Sequence, residues 1–215
     1  MPRTIVHLVR HGEVHNPDGV LYGRLPTYRL SERGQAMARR VAERLVADPR
    51  ADVVTVVSSP LQRAQETAAP IAAEYGLDVR SDDRLIEAGN RLEGMRLGQG
   101  MRGVLRWEVL RHAGNPFRPS WGEPYVEQKQ RMFAAIDDAR RRAAGHEAVL
   151  VSHQSPIWIT RLAIAGRPLW HDLRARQCAL ASVTSLTFDG ATLVAHDYAE
   201  PAADLIGATA QVPGA

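Results

Sequence analysis

The alternation of short apolar runs with amphipathic stretches organises this chain. Thr4-Ile5-Val6-His7-Leu8-Val9 is β-branched and nearly continuous in hydrophobicity, the pattern of a strand covered on both faces, as in a parallel sheet. A second such run is Val53-Val54-Thr55-Val56-Val57-Ser58, and a third is Ala148-Val149-Leu150-Val151-Ser152. Between the first two, Met37, Val41 and Leu45 recur at helical spacing behind Ser31, a helix N-cap, with Glu32 in the first turn. After the second run, Ser59-Pro60 reads as an N-cap and first helical position. The apolar stripe Leu61, Ala64, Ala68, Ile71 and Tyr75 then runs to Gly76, despite Pro70.

Residues 78–81 read as a short strand that leads into Leu85-Ile86-Glu87. Ser120 and Glu123 have capping-box spacing for a helix striped by Met132, Ile136, Ala139 and Ala143 and ended by Gly145. Ser155-Pro156 opens a further helix closed by Gly166. Residues 182–187 and 192–197 form a hairpin across Asp189-Gly190, and the alanine-rich tail beyond Pro201 shows no packing pattern. From Ala88 to Pro124 the periodicity fails. Six arginines (Arg91, Arg96, Arg102, Arg106, Arg111, Arg118) alternate there with Trp107 and Trp121, so 88–124 is expected to be a lid or insertion, with a short helix near 101–111.

Strand and helix in this order predict an α/β fold, a mainly parallel sheet with helices on both faces, in one domain over 1–215. The length of 215 residues suits a single core. No stretch approaches the roughly 20 apolar residues of a membrane span, and the N-terminus has no apolar signal core. A single cysteine, Cys178, allows no internal disulfide and reads as an inert buried thiol. Together these predict a cytoplasmic protein. All but one of the 27 basic residues are arginine, Lys129 being the exception, yet 24 acidic residues nearly balance them. Scattered charge without an aromatic platform argues against nucleic acid as a partner.

The chemistry gathers at the strand ends. Arg10 and His11 follow the first strand, Arg63 lies in the first turn of the helix after the second, and His153 follows the third. In open α/β sheets ligands bind outside the carboxyl ends of the strands, so these side chains should meet. Imidazoles among fixed guanidinium charges make a poor cation site and suit a phosphate dianion. A neutral histidine can attack phosphorus and split the transfer into two steps without a metal or other cofactor. A carboxyl must then protonate the leaving oxygen and later activate water; Glu87 is the candidate, with Glu93 its rival.

The motifs Arg10-His11-Gly12-Glu13, Leu30-Ser31-Glu32-Arg33-Gly34, Ser58-Ser59-Pro60-Leu61-Gln62-Arg63-Ala64 and Val151-Ser152-His153 resemble, in order, those of the histidine phosphatase superfamily, the phosphoglycerate mutase-like family. The resemblance implies a three-layer α/β/α sandwich of the phosphoglycerate mutase type. It also implies His11 as the phosphorylated nucleophile, Arg10, Arg63 and His153 on the phosphate, Glu87 as proton donor and Asn16 as a further phosphate ligand. The sequence departs from the family pattern in three places. Val14 and Asn16 stand where a threonine and an asparagine one residue further on are usual, Gln154 replaces a glycine, and the Glu93-Gly94 pair follows Leu92 where a tryptophan is usual. The expected substrate is a small phosphorylated metabolite and the expected reaction phosphatase hydrolysis, since no long closing tail is evident. A mutase using the same residues and a non-catalytic phosphate-binding module are the alternatives.

Overall fold

The computed structural model describes residues 3–91, 93–96, 122–172 and 175–206. Its sheet is built from β1 (Arg3–Arg10), β2 (Val53–Ser58), β3 (Val79–Ser81), β4 (Glu147–Ser152), β5 (Val183–Asp189) and β6 (Thr192–Ala199). The order is β3-β2-β4-β1-β5-β6, with β1 to β4 parallel and the last two antiparallel. Helices α1 (Glu32–Val46), α2 (Gln62–Glu74), α3 (Tyr125–Arg142) and α4 (Gln154–Ile164) complete the described architecture.

Successive strand residues point to opposite faces, and each face has its own core. Val9, Val56, Val149, Val151 and Val183 pack with Met37, Val41 and Leu45 of α1 and Ala64, Ala68 and Ile71 of α2. Val6, Leu8, Val57, Leu150 and Leu186 pack on the other face with Met132, Ala135, Ile136 and Ala139 of α3 and Ile157 of α4. The sheet is therefore the middle of three layers, which is why its central strands read as unbroken apolar runs.

Ser31 caps α1 as its position suggests, accepting from Gly34 N at 2.9 Å. Gly76, at φ 63°, closes α2 with Leu77 N bonded to Ala72 O at 2.9 Å, a left-handed cap that a β-carbon would strain. Four expectations are corrected. Helix α2 starts at Gln62 with Leu61 as its cap residue, two positions later than Ser59-Pro60 suggests; the Ser59 hydroxyl accepts from Leu61 N at 3.4 Å in the turn just before it. Helix α4 starts at Gln154 with His153 itself in the cap position. Helix α3 follows Pro124 and not a capping box; Ser120 lies outside the described residues, and the Glu123 carboxylate bonds arginines. The tail packs as far as Ile206: Ala202 is fully buried, and Leu205 and Ile206 cover the first core.

Of the expected lid, only residues 88–91, 93–96 and 122–124 are described; Arg102, Arg106, Arg111, Arg118, Trp107, Trp121 and the short helix near 101–111 lie outside the described residues. The described flanks are tied down. Gly94 N bonds Leu21 O and Leu21 N bonds Met95 O, while Glu123 N bonds Gly89 O. No helix among the described residues is long and apolar enough to cross a membrane.

Candidate active site

Because β4 lies between β1 and β2, the residues following these three strands converge. His11 N bonds Ser152 O at 3.1 Å and Ser59 N bonds Val151 O at 2.9 Å, so the three chain ends are stitched side by side. The turn after β1 is tight against α1. A β-carbon on Gly12 would lie 2.5 Å from Gly34 O, and one on Gly34 would lie 2.0 Å from Glu13 O, so both motifs need glycine where two backbones cross. Glu13 completes the junction. Its carboxylate accepts from Ser31 Oγ at 2.7 Å and from Arg33 at 3.1 Å.

His11, Arg63, His153 and Arg10 are 1%, 1%, 0% and 4% exposed, a burial that charged or polar groups tolerate only when paired or reserved for a ligand. The His11 Nδ1–H donates to Gly12 O at 2.8 Å, which holds the neutral ring with Nε2 as its lone-pair nitrogen. Arg63 Nε–H donates to that Nε2 at 3.3 Å, a long and weak bond. Arg63 is anchored by Nη2 on Gly23 O at 2.6 Å and by its guanidinium, 4.7 Å above the Tyr22 ring. Arg10 Nη1 donates to Cys178 O at 2.6 Å.

The ring of His153 lies 5.1 Å from that of His11. Its Nε2 shares a 2.8 Å hydrogen bond with Ser59 Oγ. Its Nδ1 is buried with no partner among the described residues. Burial, then Arg63 and Arg10, push the His11 pKa well below its usual value; burial, Arg63, His11 and Arg10 do the same to His153. Both rings are accordingly neutral at neutral pH. Cys178 is fully buried and burial raises its pKa, as expected of an unreactive thiol.

Glu87 follows a 3-10 turn (Asp83–Leu85) and not the end of a strand as the sequence suggests. Its half-buried carboxylate accepts from Ala88 N at 2.8 Å and acts through space on Arg63 and Tyr22. Side chains hold this irregular segment by its carbonyls. Arg131 donates to Arg84 O at 2.6 Å, Ser152 Oγ to Leu85 O at 2.7 Å and Arg24 Nε to Glu87 O at 2.7 Å. Glu123 then ties Arg24 and Arg131 together, accepting at 2.8 Å from the first and 2.7 Å from the second. Glu93 is turned to the backbone, accepting from Arg24 N at 3.0 Å and Asn90 N at 3.2 Å. Asn16 closes its own loop, with both amide atoms on Val20.

The structure thus brings together Arg10, His11, Arg63 and His153, sets Glu87 beside them, and leaves Glu93 and Asn16 in local backbone bonds. Ser59, Tyr22, Arg24, Arg131 and Glu123 escape a reading of the sequence. Ser59, in the second motif, and Glu123, at capping-box spacing from Ser120, carried a signal, and both were assigned to capping. Neutral imidazoles among buried guanidinium groups at the strand ends of an α/β sheet form a cluster chemically suited to an anion.

The family model of the histidine phosphatase superfamily, branch 1, matches residues 6–201, and the chain belongs to that superfamily. The chain is 58% identical over 203 residues to Rv0525 of Mycobacterium tuberculosis, an uncharacterized protein, covering 93% of this chain and 98% of that one. It is 32% identical over 183 residues to GpmB of Cronobacter sakazakii, described as a probable phosphoglycerate mutase, covering 83% of each. Among solved structures, the mycobacterial glucosyl-3-phosphoglycerate phosphatase Rv2419c superposes with a TM-score of 0.68 at 25% identity, over 86% of this chain and 90% of the other.

Proposed function

We propose that the protein is a metal-independent phosphatase that hydrolyses a small phosphate monoester through a phosphohistidine at His11. The observation that carries this is the neutral, Nδ1-protonated His11, whose Nε2 has among the described residues only the long 3.3 Å bond from Arg63. An entering phosphate dianion replaces that contact and takes the guanidinium forks of Arg63 and Arg10 on its oxygens. His153 adds its unpartnered Nδ1.

Nε2 of His11 attacks phosphorus in line, forming an N–P bond as the P–O bond to the alcohol breaks. Glu87 supplies a proton to the leaving oxygen. The Gly12 carbonyl that accepts from Nδ1–H supports the positive charge that grows on the ring. Water then attacks the phosphoryl group, Glu87 takes its proton, and the N–P bond breaks to restore neutral His11 and release orthophosphate. Arginine charge performs the stabilisation that a metal ion performs elsewhere.

The likeness to a probable phosphoglycerate mutase supports a second reading, in which a substrate hydroxyl replaces water in the second step. Dependence on a bisphosphorylated primer and transfer without orthophosphate release would establish the mutase. The test of the first reading is an aryl phosphate assay with chelator present. Activity should persist with chelator and fall by about a thousandfold or more in His11→Ala; full activity in that variant would overturn the assignment.

A further inference from the structure

The phenol of Tyr22 has no task in that mechanism. Tyr22 lies between β1 and α1 and is 4% exposed. The Arg63 guanidinium carbon is 4.7 Å from its ring centroid, and the ring of Tyr28 stacks on it at 5.1 Å. The carbonyl of the next residue, Gly23, accepts from Arg63 Nη2 at 2.6 Å. Tyr22 therefore stands one guanidinium away from the nucleophile, since Arg63 Nε–H reaches His11 Nε2 at 3.3 Å. Its backbone is fixed as well. Leu21 is bonded through its N–H to Met95 and through its carbonyl to Gly94, and Leu25 N bonds Tyr22 O. Gly23 turns at φ 38°, where a β-carbon would lie 2.3 Å from Glu93 Oε1.

The Tyr22 hydroxyl has no hydrogen-bond partner among the described residues, and three charges act on it through space: Arg63, Arg10 and, more weakly, Glu87. Burial raises the phenol pKa above its ordinary value, so at neutral pH the group keeps its proton and is a donor. Arginine carries no acceptor. A hydroxyl withheld from water without an acceptor is costly. An oxygen brought between the same two guanidinium groups removes that cost, and a bound phosphoryl group supplies such an oxygen.

From the seating of the Tyr22 ring on Arg63, beside His11, we infer that Tyr22 is a further catalytic residue whose O–H donates to a phosphoryl oxygen held by Arg63 and Arg10. The bond tightens as charge spreads over the equatorial oxygens during transfer. It adds no covalent step, and the proton stays on the tyrosine throughout. This inference rests on the phosphate site proposed at His11.

Tyr22→Phe tests it, because the ring and its contacts with Arg63 and Tyr28 stay and only the hydroxyl goes. Turnover of alkyl and aryl phosphates should fall by a similar factor, about ten- to a hundredfold, and inhibition by vanadate, a mimic of the transferring phosphoryl group, should weaken about tenfold or more. The urea midpoint should stay at or above the wild-type value, since no hydrogen bond of the fold is lost. Wild-type turnover and vanadate inhibition in Tyr22→Phe would overturn the inference; if Tyr22→Leu alone were then impaired, the ring would only seat Arg63. A loss confined to alkyl phosphates would overturn it too, by assigning the hydroxyl to Glu87, and a lowered urea midpoint would do so by showing the hydroxyl bonded within the fold. Failure of the phosphate site itself would show separately, as full activity in His11→Ala or as no inhibition of the wild type by vanadate.

Discussion

His11 and His153 are neutral because they are buried among arginines, and that state has a price in acid. Both have folded-state pKa values below those of the unfolded chain. Above about pH 6.5 neither state binds the extra protons. Below it the unfolded chain takes them up and the native protein does not, so stability falls as pH falls. The slope is about 1.4 kcal/mol per pH unit for each histidine until the folded pKa is reached. Urea unfolding between pH 7 and 5 should therefore show a shallower loss in His153→Gln than in the wild type; identical slopes would mean that His153 is not held neutral by the fold. Glu87 makes a different prediction. If it protonates the leaving group, Glu87→Gln slows alkyl phosphates about a hundredfold or more and an aryl phosphate much less, because a phenolate departs without help. Equal slowing of both would remove Glu87 from the role of acid.

Among the elements, regular strands supply His11 and His153, whereas Glu87 stands on irregular backbone held by Arg131, Ser152 and Arg24. Glu123 unites two of those clamps, so Glu123→Ala should loosen the segment without touching phosphate. The expected result is a fall of about ten- to a hundredfold in alkyl phosphate turnover with a smaller effect on an aryl phosphate. Unchanged leaving-group dependence would show that the clamp does not position Glu87. The crossing of the first two motifs is as specific. Gly34→Ala forces a β-carbon to 2.0 Å from the Glu13 carbonyl, and backbone cannot yield as a flexible side chain does. It should cost about 1–3 kcal/mol of unfolding free energy, read as a lower urea midpoint.

At the scale of the whole molecule, the sheet order brings strand ends distant in sequence to one crevice, and this explains what could be read in advance. Strands β1, β2 and β4 were legible because a central parallel strand is apolar on both faces. Arg10, His11 and His153 were legible because they stand directly beyond those runs, and Arg63 because its helix follows β2 at once. The caps of α2 and α4 each stand two residues from the serine–proline pair that marks them in the sequence, at Leu61 and His153. Arg24 and Glu123 acquire their roles only through contacts across the fold. The alanine-rich tail looked unpatterned since Ala202, Leu205 and Ile206 pack against a sheet face and not along a helix stripe of their own.

The central claim is that phosphate is carried covalently on His11. Mixing the protein with a labelled phosphate ester, quenching within one turnover under alkaline denaturing conditions and sequencing the labelled peptide tests it directly. The expected result is a phosphoryl group on His11, stable to alkali and lost in acid, formed and discharged at rates that account for turnover. Turnover without that label, or a label on another residue, would contradict it.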